Sequence, residues 1–340
     1  MTNRTDETRW ATTLYSFTNE LMSGSATPDE LVGEVVESGV ATAVEVDGAQ
    51  HFPTFPDISA DDAARTRDAY ALAGATPTML GIYADIRIDR RGPRSPDEQR
   101  EFVLRQLEAA ATVGFFGARV GLGALAPDLV VSLVPDLERL GVRLLEEVQG
   151  GARPDSPAID RHRELRSRLG TDALGFVFDS SLVMAGFPVT WRESLLASGA
   201  TDRLLDATEE LWREGGKDAW SRVRELAEPH ALSSAALRRL EMPFRRFGCS
   251  SVGEWAEFLA ETDSVHLKYW DLEDDDERVS APTRAIRKTL ASAGYTGYIC
   301  SEWGGHDWLE ADTNSAFDMT RRHRDLFDPC APVVEEHPAG

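Results

Sequence analysis

Short apolar runs alternate with amphipathic, helix-like segments along most of the chain. Six of the helix-like segments end at a glycine that directly precedes an apolar run: Gly39, Gly74, Gly114, Gly141, Gly170 and Gly294. A glycine just past the last helical residue readily adopts the left-handed conformation that closes a helix. The runs that follow are apolar on both faces, which is typical of parallel strands covered by helices. The pattern therefore predicts a repeated strand–helix unit.

Helix starts follow an equally regular pattern. The segments T-P-D-E (27–30) and S-P-D-E (95–98) place Thr or Ser at the N-cap, Pro at the first helical position and Glu at the third. Eight strands are predicted: Leu14–Thr18, Thr42–Val46, Thr78–Asp85, Ala118–Leu122, Val142–Val148, Leu174–Asp179, Ser264–Tyr269 and Tyr298–Ser301. Eight such units predict an α/β fold of the (β/α)8 TIM-barrel type. An open doubly wound sheet is the alternative, but the first strand is not followed by a glycine-rich phosphate loop.

The length of 340 residues suits one barrel domain. We predict an N-terminal tail at 1–12, a single TIM-barrel domain at 13–328 and a C-terminal tail at 329–340. The segment between the sixth and seventh strands is long and helix-like. It predicts a helical insertion at about 185–260.

The charge of the chain disfavours one class of partner. Lys and Arg number 36 against 58 Asp and Glu, a net charge of −22, which disfavours nucleic acid as a partner. No apolar stretch is long enough for a membrane span, and the N-terminus lacks the apolar core of a signal peptide, so a cytoplasmic protein is expected. The three cysteines are widely spaced and predict neither a disulfide framework nor a cysteine-based zinc site.

Polar side chains end the last four predicted strands, where a TIM barrel carries its active residues. They are Glu146 or Glu147, then Asp179, His266 and Glu302. Three carboxylates and one imidazole suit Mn²⁺, Mg²⁺ or Co²⁺ better than a structural zinc ion. Each residue also has a structural interpretation, since Asp179 could cap the following helix and His266 could be a core histidine. Alternation along the strand does not decide between the two glutamates.

Other polar residues lie near the same strand ends. Lys268 shares a strand face with His266, and Gln149 and His306 follow the fifth and eighth strands. Earlier strands offer Glu45, His51, Asp85 and Arg119. Trp303 and Trp308 are candidates to stack on a sugar, with a core position as the alternative. Gly304 and Gly305 would let backbone and substrate approach closely.

Four segments carry a family resemblance: VRLLEEVQGG, LGFVFDSS, VHLKYWD and GYICSEWGGH. They resemble the last four strands of the xylose isomerase-like TIM barrels, the sugar phosphate isomerase/epimerase superfamily. The resemblance spans about 14–327. LYSFTNE and the long segment before the seventh strand also resemble the branch that contains the α subunits of C-glycoside deglycosidases.

The resemblance implies a divalent metal, Mn²⁺ first, held by Glu147, Asp179, His266 and Glu302. It favours Glu147 over Glu146, and it implies that Glu147 and Glu302 transfer the proton. Gln149 stands where many relatives have a histidine, and a glutamine cannot take a proton at neutral pH. Substrate contacts are expected from Lys268, His306, Arg119, Gln149 and His51.

We therefore predict a metal-dependent sugar isomerase or epimerase that abstracts a proton next to a sugar carbonyl through a metal-stabilised enediolate. The alternative is the catalytic α subunit of a C-glycoside deglycosidase acting on 3-keto C-glycosides, a carbon–carbon lyase. It would need a small β subunit as partner, and a homo-oligomer is the other expected assembly. An abasic-site endonuclease-like or non-enzymatic barrel is disfavoured, because such nucleases use more histidines and the net charge here is strongly negative.

Overall fold

Eight parallel strands close into a barrel in the order in which they occur along the chain. The computed structural model describes residues 9–84, 92–309 and 315–327. The strands are β1 (Arg9–Thr13), β2 (Ala43–Asp47), β3 (Thr76–Gly81), β4 (Gly117–Gly121), β5 (Arg143–Val148), β6 (Leu174–Asp179), β7 (Ser264–Tyr269) and β8 (Tyr298–Trp303). β8 pairs with β1 and closes the barrel. The predicted (β/α)8 fold class is confirmed.

Helices surround the barrel. In the described part of the chain they are α1 (Thr18–Ser23), α2 (Pro28–Glu37), α3 (Gly48–His51), α4 (Ala60–Ala73), α5 (Pro96–Val113), α6 (Pro127–Leu140), α7 (Pro157–Leu169), α8 (Val189–Leu196), α9 (Asp202–Glu214), α10 (Ala219–Ala227), α11 (Ser234–Arg246), α12 (Ala256–Glu261), α13 (Ser280–Ser292) and α14 (Ala316–Phe327). Both predicted capping boxes form, at Thr27 and Ser95. All six glycines predicted to end helices have positive φ. None of these helices is long and apolar enough to cross a membrane.

The predicted first strand is wrong in position. Leu14–Phe17 is a 3-10 helix, and the strand lies at Arg9–Thr13, so four residues of the predicted tail 1–12 belong to the barrel. The Thr13 side chain accepts a hydrogen bond from the Tyr15 backbone N–H, which ends the strand and starts the turn. Leu14 and Phe17 are apolar because they are buried in the core, where a turn is as apolar as a strand. Asp85, predicted to end the third strand, lies outside the described residues.

Five helices, α8 to α12, lie between β6 and β7. The first four have an apolar core of their own, which includes Trp191, Leu205, Trp212 and Leu240. This core also contains Trp270, which directly follows β7. The helical segment is therefore packed against the carboxyl end of β7, on the side of the barrel where its polar strand ends meet.

His323 on α14 is buried where this helix packs on the barrel. Its Nδ1 lies 2.9 Å from the Ser301 hydroxyl oxygen, and its ring stacks on that of Tyr269. Burial lowers the pKa of His323 to about 3. The neutral imidazole is therefore the form that fits the folded protein.

We expect His323 to make the protein less stable as the solution becomes acidic. The unfolded chain takes up this proton below about pH 6.5, whereas the folded protein resists it down to about pH 3, so stability is present above the first value and lost between the two. At pH 5 the loss from this one group is about 2 kcal/mol. Urea unfolding of the wild type and of His323→Asn at pH 7.5 and pH 5 measures it. Equal pH dependence in the two proteins would contradict this assignment.

Candidate metal centre

Four polar side chains meet inside the barrel at the carboxyl ends of β5 to β8. They are Glu147, Asp179, His266 and Glu302, and all four are buried. Each offers a ligand atom, and these atoms all lie within 4.8 Å of one another. Neighbouring parallel strands bring them together, since Asp179 pairs with His266 in the sheet register. The structure thus assembles the four residues that the resemblance implied as metal ligands.

The two neighbouring glutamates of β5 point to opposite faces of the strand. Glu147 lies in the cluster, whereas the Glu146 carboxylate accepts a hydrogen bond from the Gly123 N–H and lies 3.4 Å from His162 Nδ1 on α7. Glu146 therefore belongs to the layer between strands and helices. This is the choice that alternation alone left open.

Asp179 has one carboxylate oxygen in use and one without a partner. Oδ1 accepts from the Ser181 N–H at 2.7 Å and caps the turn that follows β6. Oδ2 is buried and has no hydrogen-bond partner among the described residues. Burial raises the pKa of Asp179 to about 6. Asp179 can therefore cap the turn with one oxygen and belong to the cluster with the other. A buried oxygen without a hydrogen-bond donor, placed among other carboxylates, fits a divalent cation.

His266 is held between carboxylates on both sides. Nδ1 lies 3.0 Å from Glu147 Oε1 and 2.8 Å from Glu302 Oε2, and Nε2 lies 2.9 Å from Glu45 Oε2. Burial alone would lower the pKa of His266, but Glu45 and the two cluster glutamates hold it well above its usual range. In a loaded site Nδ1 would be the ligand atom and Nε2–H would bond to Glu45. Carboxylates placed in this way orient metal-binding histidines.

Arg119 and Gln149 fix the other side of Glu147. The Arg119 guanidinium donates to Glu147 Oε2 and to Glu45 Oε1, both at 2.7 Å. Gln149 Nε2 donates to the same Glu147 oxygen at 3.1 Å. Burial would raise the pKa of Glu147, but Arg119 and His266 outweigh it and lower the pKa to about 2. Glu147 is therefore ionised at neutral pH.

Lys268 lies beside Glu302, and both Lys268 and His306 lie against the ring of Tyr15. Lys268 Nζ bonds to Glu302 Oε1 and lies 4.8 Å from the centre of the Tyr15 ring. Burial would raise the pKa of Glu302, but Lys268 and His266 hold it well below its usual range. The His306 ring packs edge-on against Tyr15, and burial lowers its pKa to about 4, so it is neutral at pH 7.

His51 is not brought into this arrangement. Its Nε2 lies 3.1 Å from Asp29 and 3.0 Å from Thr66, on the outer helices α2 and α4. The short helix α3 ends at His51, and the ring there turns to the helix layer rather than to the cluster. These contacts give His51 a packing role, so we propose no substrate contact for it.

The aromatic and glycine residues at the end of β8 and directly after it pack against one another rather than line the site. Trp303 is fully buried and donates its indole N–H to the Trp270 carbonyl, and Trp308 stacks parallel to Trp270. A Cβ on Gly304 would meet the Trp270 ring at 2.6 Å, and one on Gly305 would meet the Trp303 ring at 2.4 Å. The expectation that these glycines make room for substrate is therefore replaced by a packing requirement.

For three residues of the site, Glu45, Tyr15 and Arg246, the sequence pattern predicts no functional role. Glu45 supports His266 and is visible in the sequence as a charge inside an apolar strand. Tyr15 stood inside the misplaced first strand. Arg246, at the end of α11, donates to the Tyr15 hydroxyl oxygen at 3.1 Å across 231 residues of sequence. No local pattern could have paired these two.

We expect Glu45→Gln to lower the affinity for a divalent metal by about 10–100-fold, because the neutral amide no longer holds the imidazole with a charge. Isothermal titration of the metal-free protein measures the change. Glu146→Gln is the matched control, since this glutamate is also buried near a strand end but faces the helices. Unchanged affinity of Glu45→Gln would contradict the role given to Glu45.

One relative of known sequence decides the family. The chain is 30% identical to a C-glycoside deglycosidase alpha subunit from Arthrobacter globiformis over 331 residues, which cover 91% of this chain and 87% of the relative. The chain belongs to the C-glycoside deglycosidase alpha-subunit family. Another relative, the 3'-dehydrocarminate deglycosidase alpha subunit of a Microbacterium species, is 29% identical and is matched over 93% of each chain. No protein-family model matches the sequence.

Solved structures share the barrel fold of this chain. The barrel is similar to D-psicose 3-epimerase from Clostridium cellulolyticum, with a TM-score of 0.55 and 11% identity over 94% of this chain and 98% of that one. The predicted resemblance to the xylose isomerase-like barrels is therefore confirmed. Through its membership of the C-glycoside deglycosidase alpha-subunit family, the chain is an enzyme of a sugar-processing family.

Proposed function

We propose that the chain is the catalytic α subunit of a C-glycoside deglycosidase that cleaves 3-keto C-glycosides. One observation carries the proposal. The buried cluster of Glu147, Asp179, His266 and Glu302 occurs in a chain that is 30% identical to such subunits over nine-tenths of its length. The proposal places the deglycosidase ahead of the isomerase or epimerase activity that the strand ends alone favoured.

The proposed cofactor is a divalent cation, Mn²⁺ first, with Mg²⁺ and Co²⁺ as alternatives. Glu147, Asp179, His266 and Glu302 would hold it through their clustered oxygens and the His266 Nδ1. A cation at this position polarises a sugar carbonyl and makes the neighbouring C–H more acidic. The orphaned Asp179 oxygen supports this assignment independently of the comparisons.

Glu147 and Glu302 are the proposed proton-transfer pair. Both carboxylates are ionised at neutral pH, because Arg119 and Lys268 lie against them, and an ionised carboxylate can accept the proton next to the keto group. In the proposed reaction the same two cations would stabilise the negative charge that develops on the substrate oxygen. Gln149 hydrogen-bonds Glu147 but cannot act as a base, so the carboxylates are the proposed proton acceptors.

Sugar isomerisation or epimerisation is the second candidate. The observation that favours it is the placing of two carboxylates against one imidazole nitrogen, with Glu147 at 3.0 Å and Glu302 at 2.8 Å. Such a pair can remove a proton on one face of a sugar and return one on the other. The first step is shared with the deglycosidase, and only the fate of the resulting anion differs.

A partner subunit forms part of the proposal. The relatives are named alpha subunits, and the notation implies a second chain in those proteins. We propose that this chain also assembles with a second, different subunit, and a homo-oligomer is the alternative assembly. Protein for functional tests is therefore best produced in its natural host, so that a bound partner is kept.

Reaction in D₂O separates the candidates. The metal-loaded protein is incubated with a panel of 3-keto C-glycosides and of ketoses, and products are followed by NMR. We expect free aglycone, together with deuterium next to the keto group of the remaining substrate. Deuterium at C3 of a ketose without aglycone release would favour the epimerase, and the absence of both would reject the two proposals.

A further inference from the structure

Tyr15 stands at the edge of the candidate metal centre with a hydroxyl group that the mechanism above does not use. It lies in the 3-10 turn after β1 and is partly exposed. Lys268 Nζ, which bonds to Glu302, lies 4.8 Å from the centre of its ring. The neutral ring of His306 packs edge-on at 4.5 Å between centroids. One side chain, that of Lys268, therefore lies between Tyr15 and Glu302 of the proton-transfer pair.

Arg246 brings a second cation to the same phenol. Its Nη2 donates to the Tyr15 hydroxyl oxygen at 3.1 Å, and its Nη1 donates to Asp307 Oδ2 at 2.8 Å. Asp307 also accepts from the Trp270 indole N–H at 3.0 Å. Because Arg246 occupies an acceptor position on the Tyr15 oxygen, the hydroxyl hydrogen remains available for another acceptor.

The position of Arg246 is set by the segment that follows α11. The Gly248 N–H donates to the Ser181 carbonyl at 2.7 Å, and the Gly248 carbonyl accepts from the Met184 N–H at 2.9 Å. The Phe247 carbonyl accepts from the Trp212 indole N–H at 3.0 Å. The turn after β6, which carries Asp179, therefore fixes the end of α11 over the barrel. A guanidinium held in this way is preorganised to stabilise a phenolate.

We propose that Tyr15 is the acid that protonates the departing aglycone carbon, and that Arg246 is the positioning residue that orients it and stabilises its phenolate. This inference rests on the proposed deglycosidase function. In the step, the C2–H bond breaks and its proton goes to a carboxylate of the Glu147–Glu302 pair. A C1–C2 double bond forms as the bond from C1 to the aglycone carbon breaks. The electron pair of that bond takes a proton from the Tyr15 hydroxyl, which water later restores.

Two substrates distinguish an acid from a structural residue. A 3-keto C-glycoside needs a proton on its leaving carbon, whereas a 3-keto 4-nitrophenyl O-glycoside releases a stable anion that needs none. For Tyr15→Phe we expect release from the C-glycoside to fall by about 100-fold or more, the range for a general acid. Release of 4-nitrophenolate, and deuterium exchange at C2 of the C-glycoside, should continue at the wild-type rate.

Arginine variants test the supporting role. Arg246→Met should lose C-glycoside cleavage in the same selective manner, and Arg246→Lys should recover part of it. Arg245→Met is the matched control, because this neighbouring arginine is exposed and bonds to Glu241, and its activity should equal the wild type. Equal losses of cleavage, nitrophenolate release and C2 exchange in Tyr15→Phe would overturn the assignment of Tyr15 as the acid.

The outcome for the wild type separates this inference from the proposed function. If the metal-loaded wild type neither exchanges the C2 proton nor releases either leaving group, the deglycosidase proposal fails and the role of Tyr15 fails with it. If the wild type does both and Tyr15→Phe cleaves the C-glycoside normally, only the role of Tyr15 is rejected.

Discussion

Glu302→Gln is expected to lower kcat for aglycone release by about 1,000-fold or more, since general base catalysis alone contributes 10²–10⁴-fold. The amide keeps the shape of the side chain but cannot take a proton. It also removes the negative charge that pairs with Lys268 and with His266 Nδ1. The substitution therefore affects both proposed functions of the Glu302 carboxylate, metal binding and proton transfer. Steady-state kinetics at saturating Mn²⁺ isolates the loss of proton transfer.

The control for this prediction is Glu146→Gln. It makes the same chemical change in a buried strand-end glutamate that faces the helices, and it should keep nearly full activity. Full activity of Glu302→Gln would reject the assignment of the catalytic centre. A loss that saturating metal fully reverses would assign Glu302 to metal binding alone.

Removal of the metal is expected to abolish activity, and Mn²⁺ is expected to restore it. Without a cation, one buried oxygen of Asp179 has no hydrogen-bond partner in the described part of the chain, and burial raises the pKa of Asp179 to about 6. A cation supplies that partner, so the loaded protein should also be more stable. At a metal concentration 100 times the dissociation constant, the gain is about 2.7 kcal/mol.

Dialysis against a chelator, followed by activity and thermal unfolding with and without Mn²⁺, measures both effects. Asp179→Asn is the matched variant: it retains the cap on the Ser181 N–H but loses a charged ligand. Its unfolding temperature should respond little to Mn²⁺. Activity that persists in protein shown by elemental analysis to be free of metal would contradict the prediction.

Most of the barrel could be predicted because its pattern is local. β6 and β7 begin and end at the predicted residues, since each is a buried run that ends at a polar residue or a turn. The first strand was misplaced because Leu14 and Phe17 are as buried as strand residues while lying in a turn. Burial makes the residues of the strand and of the turn equally apolar. The hydrogen bond to the Thr13 side chain marks the boundary between strand and turn, but the hydrophobic pattern does not reveal it.

The site could be predicted where it follows from strand order. Consecutive parallel strands bring their carboxyl ends together, so Asp179 and His266 had to lie side by side once the barrel was assumed. The prediction that His51 contacts substrate does not follow from strand order in the same way. His51 lies in a short helix after β2, and its ring contacts Asp29 in the helix layer. Arg246 is the last residue of α11, the fourth helix after β6, and only tertiary packing brings it to Tyr15.

The central claim is that Glu147, Asp179, His266 and Glu302 together bind one catalytic divalent cation. A crystal structure of the protein loaded with Mn²⁺, with anomalous diffraction measured at the manganese edge, tests it most directly. We predict a single strong anomalous peak bonded to one oxygen of each carboxylate and to His266 Nδ1, with Glu45 on the far side of the imidazole. An active, metal-loaded protein with no peak among these four side chains would contradict the account.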